Sequence, residues 1–148
     1  MRRQSVFDKH HRPAYASVPR RSKLKSAEDL WRKDVIEEPL ICLPATEMIT
    51  RVFQKGLQQR KIDWPHTIEA SSVGLVTRYV ANGYGVGVSV AASEAVKHKD
   101  VRVLPLEDFD SIEIALLSNG KPTPLVEHVL EACRQVVAKE WPKSQRID

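Results

Sequence analysis

The sequence has only two cysteines, few glycines and no long apolar run. Cys42 and Cys133 lie far apart without CxxC spacing, which argues against a disulfide framework or a structural zinc site. No apolar segment approaches the roughly 20 residues that a membrane helix needs, and the basic start is not followed by the apolar stretch of a secretory signal. We therefore expect one soluble cytoplasmic domain with two buried thiols and no membrane partner.

Positive charge is concentrated at the front of the chain. Residues 1–25 hold eight Lys or Arg and one acid, whereas the remaining residues hold 15 basic and 18 acidic side chains. The pI of about 9.2 therefore describes the front end and is weak evidence for nucleic-acid binding. We interpret residues 1–13 as a disordered basic tail rather than a phosphate-contacting arm, and residues 141–148 as a second tail. We expect no DNA binding by this chain alone.

Periodicity and caps predict alternating strands and helices. Predicted strands cover 15–18, 39–44, 66–71, 86–90, 101–106 and 111–117; predicted helices cover 26–33, 46–61, 72–82, 91–97 and 121–141. Thr46 and Thr123 stand where an N-cap is expected, and Ser26 with Asp29 resembles a capping box. This alternation is typical of an α/β fold with helices on both faces of a mainly parallel sheet.

The glycine-rich segment "YVANGYGVGVSV", residues 79–90, does not fit a dinucleotide loop. That loop needs G-x-G-x-x-G after a strand and before a helix, whereas this G-x-G-x-G follows a helix and precedes a strand. Asn82-Gly83 is typical of a left-handed helix end, and Gly85 and Gly87 allow close approach to the entering strand. The segment therefore predicts a helix stop running into a buried strand, and we expect no cofactor.

Catalytic and metal-binding patterns are also missing. The sequence has no HExxH, no G-x-S-x-G and no P-loop, and its histidines stand singly or in the basic tail. Asp108 and Asp110 flank Phe109 without the further oxygen ligands of a calcium loop. We assign no catalytic and no metal-binding residue.

The order of the segments resembles the effector-binding domain of LysR-type transcriptional regulators. The similarity rests on "EPLICLPATEMITRVFQKGLQQ", then "IEASSVGLVTRYVANGYGVGVSVAAS" with its glycine step, then "VRVLPL". It covers roughly 14–140 and implies a periplasmic-binding-protein-like (type II) α/β fold. Under it, 24–105 form the second lobe and 111–140 return to an incomplete first lobe. The helix-turn-helix of the family is missing, which implies a truncated member, and the usual proline after the glycine-step strand is replaced by Val90-Ala91.

The resemblance implies a small effector, such as a carboxylate, held at the strand–helix turns. The matching positions are Pro44, Ala45 and Thr46 at the first turn and Ser71, Ser72 and Val73 at the second, with Ser17 and Pro19 at a hinge between lobes. Helix N-termini at such turns offer free N–H groups to an anion. Capping alone would explain Thr46, Ser71 and Ser72 equally well.

Three functions stay open on the sequence. The first is a non-catalytic effector sensor, which an incomplete lobe would drive towards homo-oligomers. The second is a dimerising interaction module that no longer senses a ligand. The third is an enzyme of similar two-lobe fold, which would need an acid–base pair that neither turn contains.

Overall fold

The computed structural model describes residues 4–65, 67–90 and 97–140. The elements in chain order are β1 (Gln4–Arg12), β2 (Ala14–Pro19), α1 (Glu28–Trp31), β3 (Leu40–Cys42), α2 (Met48–Gln59), β4 (Thr67–Glu69), α3 (Val73–Ala81), β5 (Val86–Val90), β6 (Val101–Pro105), β7 (Ile112–Asn119) and α4 (Pro124–Glu140). The chain divides into two compact units, one of Arg12–Ile112 and one of Met1–His11 with Glu113–Asp148. The strand and helix order expected from the sequence is confirmed from β2 to α4 among the described residues, whereas β1 was not expected.

The Arg12–Ile112 unit is built on a five-stranded sheet of order β4-β3-β5-β2-β6. β3 pairs in parallel with β4 and with β5, whereas β2 is antiparallel to both β5 and β6. Four strands thus run in one direction, and β2 runs against them between β5 and β6. The expected α/β fold with a mainly parallel sheet is confirmed, and β2 is its antiparallel strand, because β2 comes from before the alternating region and enters the sheet from the opposite end.

Helices α2 and α3 cover the two faces of this sheet. The β3–α2–β4 and β4–α3–β5 connections step in opposite directions along the sheet, so right-handed crossovers place the two helices on opposite faces. One face forms a buried cluster of Ile41, Ala70, Val76, Val80 and Val101. The short β3 segment is buried at every position, as the continuous apolar run predicts.

An aromatic cluster closes another part of the same unit. Phe53 on α2 lies 5.4 Å from Phe109 and 6.1 Å from Trp64, measured between ring centroids, and Trp31 of α1 lies 6.1 Å from Phe109. The indole N–H of Trp64 donates to the Glu38 carbonyl at 2.6 Å. These contacts fix the end of α1 and the middle of α2 against the turn that follows β6.

The glycine step is confirmed as a helix stop. Gly83 adopts φ +83°, its N–H donates to the Val80 carbonyl at 2.9 Å, and the Tyr84 N–H donates to the Tyr79 carbonyl at 3.0 Å. This pair of bonds is the Schellman motif, in which the left-handed residue after the helix favours glycine. A Cβ on Gly85 would lie 2.1 Å from the Pro39 carbonyl oxygen, so glycine is also required where the chain enters β5.

The second unit contains β1, β7 and α4. β1 and β7 form a two-stranded sheet, and Glu113 of β7 pairs with Lys9 at 3.6 Å and His11 at 3.8 Å. The expectation of a disordered tail over residues 1–13 is therefore wrong for residues 4–12. Its basic side chains suggested solvation, but strand pairing satisfies the backbone and Glu113 offsets part of the charge.

One of the two threonine N-caps expected from the sequence is confirmed, and the other is wrong. The Val126 N–H donates to the Thr123 hydroxyl at 3.3 Å, which confirms Thr123 as the cap of α4. Thr46 is not the cap of α2, because Glu47 occupies that position with extended geometry and no side-chain bond. The expected helix over 91–97 and the tail over 141–148 lie almost wholly outside the described residues.

Candidate functional site

The two turns singled out from the sequence meet at one edge of the sheet. β3 and β4 pair in parallel with Cys42 opposite Glu69, so both chains leave the sheet at the same end. The Ala70 N–H donates to the Cys42 carbonyl at 2.8 Å, which extends the pairing one residue into the turns. Residues 44–46 and residues 71–73 are therefore adjacent, and we call the surface that they form the strand-end site.

The first turn leaves the start of α2 without a side-chain cap. The Glu47 N–H donates to the Pro44 carbonyl at 2.9 Å, which makes Pro44–Glu47 a β-turn with Thr46 at its third position. Because the turn moves the helix start one residue on, the Thr46 hydroxyl is exposed and is not used for capping. Within the part of the chain that the structure describes, no side-chain oxygen of the N-cap residue is bound to the first N–H groups of α2.

The second turn is capped by the protein itself. The Ser72 side chain accepts a hydrogen bond from the Leu75 N–H at 3.2 Å, and Ser72 has the extended geometry of an N-cap. Ser71 is exposed beside it, and Val73 is the first residue of α3. The structure thus separates the two serines, since Ser72 has a structural role while the Ser71 hydroxyl makes no hydrogen bond within the part of the chain that the structure describes.

Cys42 lies next to the strand-end site but is a poor nucleophile. Burial raises the pKa of the Cys42 thiol, and the negative charge of Glu69 raises it further. A thiol whose pKa is raised stays protonated at neutral pH and reacts slowly. This side chain therefore contributes packing at the end of β3.

The hinge candidates lie on β2, away from the strand-end site. Ser17 is fully buried opposite Gly87, and Pro19 ends β2 opposite Val101 at the other end of the sheet. The Ser17 and Ser89 hydroxyls are both buried and find no partner among the described residues. Ser89 was not singled out from the sequence, because a serine inside an apolar strand carries no local signal of burial.

Metal binding and membrane insertion find no support in the described residues. Within residues 4–65, 67–90 and 97–140, no three His, Cys, Asp or Glu side chains cluster as metal ligands would. Among the same residues, no helix has both the length and the apolar character required for a membrane span.

The profile of the LysR substrate binding domain matches residues 11–138. The chain belongs to the LysR substrate-binding domain family. Its architecture, with a mixed α/β sheet and helices on both faces, is the periplasmic-binding-protein-like type II fold of that family. No curated protein matches the sequence.

Solved structures of LysR effector-binding domains share this fold. The Synechocystis PCC6803 CcmR regulatory domain in complex with 2-PG has a TM-score of 0.66 and 16% identity, over 90% of this chain and 66% of that one. The BenM effector binding domain with its effector benzoate has a TM-score of 0.61 and 18% identity, over 93% of this chain and 64% of that one. The effector binding domain of QuiR in complex with shikimate has a TM-score of 0.62 and 14% identity, over 87% of this chain and 62% of that one.

Coverage shows how much of these proteins the chain represents. It spans about two thirds of the separate regulatory domains and about half of a longer LysR family regulator from Pseudomonas aeruginosa. At such low identity the similarity establishes the fold.

Proposed function

We propose that the chain is a non-catalytic effector-sensing domain of a LysR-like transcriptional regulator. The observation that carries this proposal is the strand-end site, where the uncapped start of α2 and the exposed Thr46 and Ser71 hydroxyls lie on neighbouring turns. Unbound N–H groups at a helix start attract anions, and hydroxyls add directed hydrogen bonds.

A small carboxylate is the effector class that this geometry supports. The carboxylate would accept from the first N–H groups of α2 and from Thr46, while Ser71 and the α3 start bind its polar substituents. Pro44, Ala45 and Val73 would supply apolar contact around the two turns. The BenM and QuiR domains are described with benzoate and shikimate, and both of these ligands are carboxylates.

Titration calorimetry with small carboxylates, amino acids and aromatic acids tests the proposal. Thr46→Val should weaken binding of the responding acid by about fivefold, as expected for one hydrogen bond worth about 1 kcal/mol. Thr67→Val is the matched control, because Thr67 is exposed at the opposite end of β4 and should leave binding unchanged. Absence of heat across the panel from a folded sample would contradict ligand sensing.

A non-catalytic role follows from the side chains beside the strand-end site. Neither turn, residues 44–46 or residues 71–73, contains a histidine, lysine or carboxylate that could activate a hydroxyl, and the Cys42 thiol is held protonated. An enzyme of similar fold is therefore a weaker alternative. We also propose a cytoplasmic location, since small metabolites and target promoters meet there.

A dimerising module is the second candidate function. α4 exposes Leu125, Val129 and Val136, with Leu125 74% exposed, and β7 exposes Leu117. Apolar side chains exposed along one helix favour association with another chain. We propose a homo-oligomer, and sedimentation at several concentrations tests it: a strict monomer would exclude both the oligomer and a purely dimerising role.

The lobe assignment of the chain remains a proposal. We assign 24–105 to the second effector lobe and 111–140 to part of the first, within a domain of 14–140. The division into compact units near Ile112 supports a boundary close to the one proposed. Expression of residues 12–112 alone should give a folded unit with a cooperative thermal transition, and a molten product would contradict the assignment.

A further inference from the structure

One corner of the Arg12–Ile112 unit joins two basic segments that are far apart in the sequence. Residues 20–25 follow β2 and residues 97–102 lead into β6, and together they hold seven Lys or Arg against one acid, Asp100. Pro19 is paired with Val101 in the sheet, so the two segments are neighbours. We call this surface, residues 20–25 and 97–102, the basic corner.

Two arginines hold the basic corner together through backbone carbonyls. The Arg20 side chain donates to the carbonyls of Lys99 at 2.5 Å and Val101 at 3.3 Å. The Arg102 side chain donates to the Ser22 carbonyl at 3.0 Å and also to the Leu24 carbonyl. These bonds tie each segment to the other, so the remaining cations project from a fixed frame.

Three of the remaining cations have no acidic partner among the described residues. Arg21, Lys23 and Lys99 are exposed and make no ion pair with any acid in the part of the chain that the structure describes. Cations elsewhere are commonly paired, namely Lys9, Arg32, Lys33, Lys55, Arg60 and Arg134. The positive charge of these three side chains is therefore available to an external anion.

The basic corner extends to an exposed tyrosine. The Arg21 Nη2 atom lies 2.7 Å from the point that a Cβ on Gly83 would occupy, so its guanidinium passes over the end of α3. Tyr84, the next residue, is 60% exposed. Its ring packs edge-on against Tyr79, with the centroids 5.9 Å apart, and its hydroxyl is a further neutral hydrogen-bond donor next in the chain to Gly83.

We propose that the basic corner binds the phosphate backbone of double-stranded DNA without sequence preference. Arginine, lysine and tyrosine donors on a rigid frame are the groups that contact phosphates. Lysine is depleted in protein–protein interfaces, and among the described residues no apolar centre accompanies these cations, so an acidic protein fits less well. The contact is weak and salt-sensitive and supplements DNA binding by other parts of an assembly; it departs from the expectation of no DNA binding by this chain alone.

The position of the basic corner allows DNA and effector to bind together. β6 runs in the same direction as β3, so its first residue, Val101, lies at the end of the sheet opposite the strand-end site. DNA contact is therefore separate from effector binding and does not depend on the proposed effector function.

Fluorescence anisotropy with a labelled duplex of about 20 base pairs, over about 20–200 mM salt, tests the proposal. The combined variant Arg21→Ala, Lys23→Ala and Lys99→Ala should reduce the slope of log affinity against log salt by about 3, since each phosphate contact contributes about 0.9. The matched control combines Arg51→Ala, Lys121→Ala and Lys139→Ala, which removes equal charge from exposed positions elsewhere. The control should keep the slope of the unmodified chain.

Four results would overturn the proposal. The first is no binding to the duplex at the lowest salt, and the second is an equal loss in the control variant. The third is loss of the salt dependence of affinity in the double variant Arg2→Ala and Arg3→Ala, which would assign the binding to the N-terminal residues. The fourth is tighter binding to a poly-glutamate peptide than to the duplex at equal salt, with loss in the basic-corner variant, which would identify a surface for acidic proteins.

Discussion

Replacement of Gly85 by alanine should destabilise the Arg12–Ile112 unit strongly. The added Cβ would lie 2.1 Å from the Pro39 carbonyl oxygen and 3.0 Å from its carbon. That carbonyl accepts the Val86 N–H at 2.9 Å, a bond that joins the residue before β3 to the start of β5. The clash thus involves backbone atoms, which cannot rotate away as a flexible side chain can.

The expected cost follows from this geometry. A normal contact requires the two backbones to separate by more than about 1 Å, which breaks the Val86–Pro39 hydrogen bond. Buried groups that lose their partner cost about 1–3 kcal/mol, and overpacking costs about 1–3 kcal/mol. Alanine recovers about 0.4–1 kcal/mol by restricting the unfolded chain. We therefore expect the free energy of unfolding to fall by about 2–4 kcal/mol, using the middle of these ranges.

Urea unfolding followed by tryptophan fluorescence measures this loss. A Trp141→Phe background leaves Trp31 and Trp64, which both belong to the aromatic cluster of this unit. Gly83→Ala is the matched control from the same step: its Cβ meets only the mobile end of Arg21, and its positive φ costs about 1–2 kcal/mol. A loss below about 0.5 kcal/mol in Gly85→Ala, or a larger loss in Gly83→Ala, would refute this reasoning.

Three further predictions concern the α3 cap, the Asp29 carboxylate and the Cys42 thiol. Ser72→Ala should lower the free energy of unfolding by about 1 kcal/mol because the α3 cap is lost, whereas Ser71→Ala should change it little; urea titrations measure both. Backbone N–H groups of Lys25 and Ser26 lower the pKa of Asp29 below its ordinary 3.8. The stability from this group is present above about pH 4 and lost as pH falls through the lowered pKa, so Asp29→Asn should flatten the acid limb of a stability–pH curve. Cys42 should react with a thiol reagent at pH 8 far more slowly than Cys133, and equal rates would contradict the raised pKa of Cys42.

The features that the sequence predicted correctly are set by residues that lie close together in the chain. The end of α3 follows from Asn82-Gly83, since a left-handed residue is recognisable without knowledge of the fold. The strand Val86–Val90 follows from a continuous apolar run. The common edge of Thr46 and Ser71 follows from consecutive β–α units, because successive parallel strands end on the same side.

Non-local pairing explains what the sequence did not predict. The antiparallel entry of β2 depends on strands more than 60 residues later, and nothing within residues 14–19 encodes its direction. β1 was missed because its charged residues lack a two-residue apolar alternation, although β7 pairs with it. Thr46 was misplaced as a cap because the Pro44–Glu47 turn moves the helix start by one residue. The basic corner was invisible because its halves are separated by about 80 residues and meet only in the folded sheet.

Backbone amide chemical-shift mapping during titration with a small carboxylate tests the strand-end site most directly. Benzoate serves as the first probe, and the acid that gives the largest calorimetric response serves as the second. We predict that the shifts concentrate on residues 44–49 and 71–75, with the largest at the uncapped start of α2. Shifts confined to the glycine step at residues 83–87, at the opposite end of the sheet, would contradict the effector site proposed for this chain.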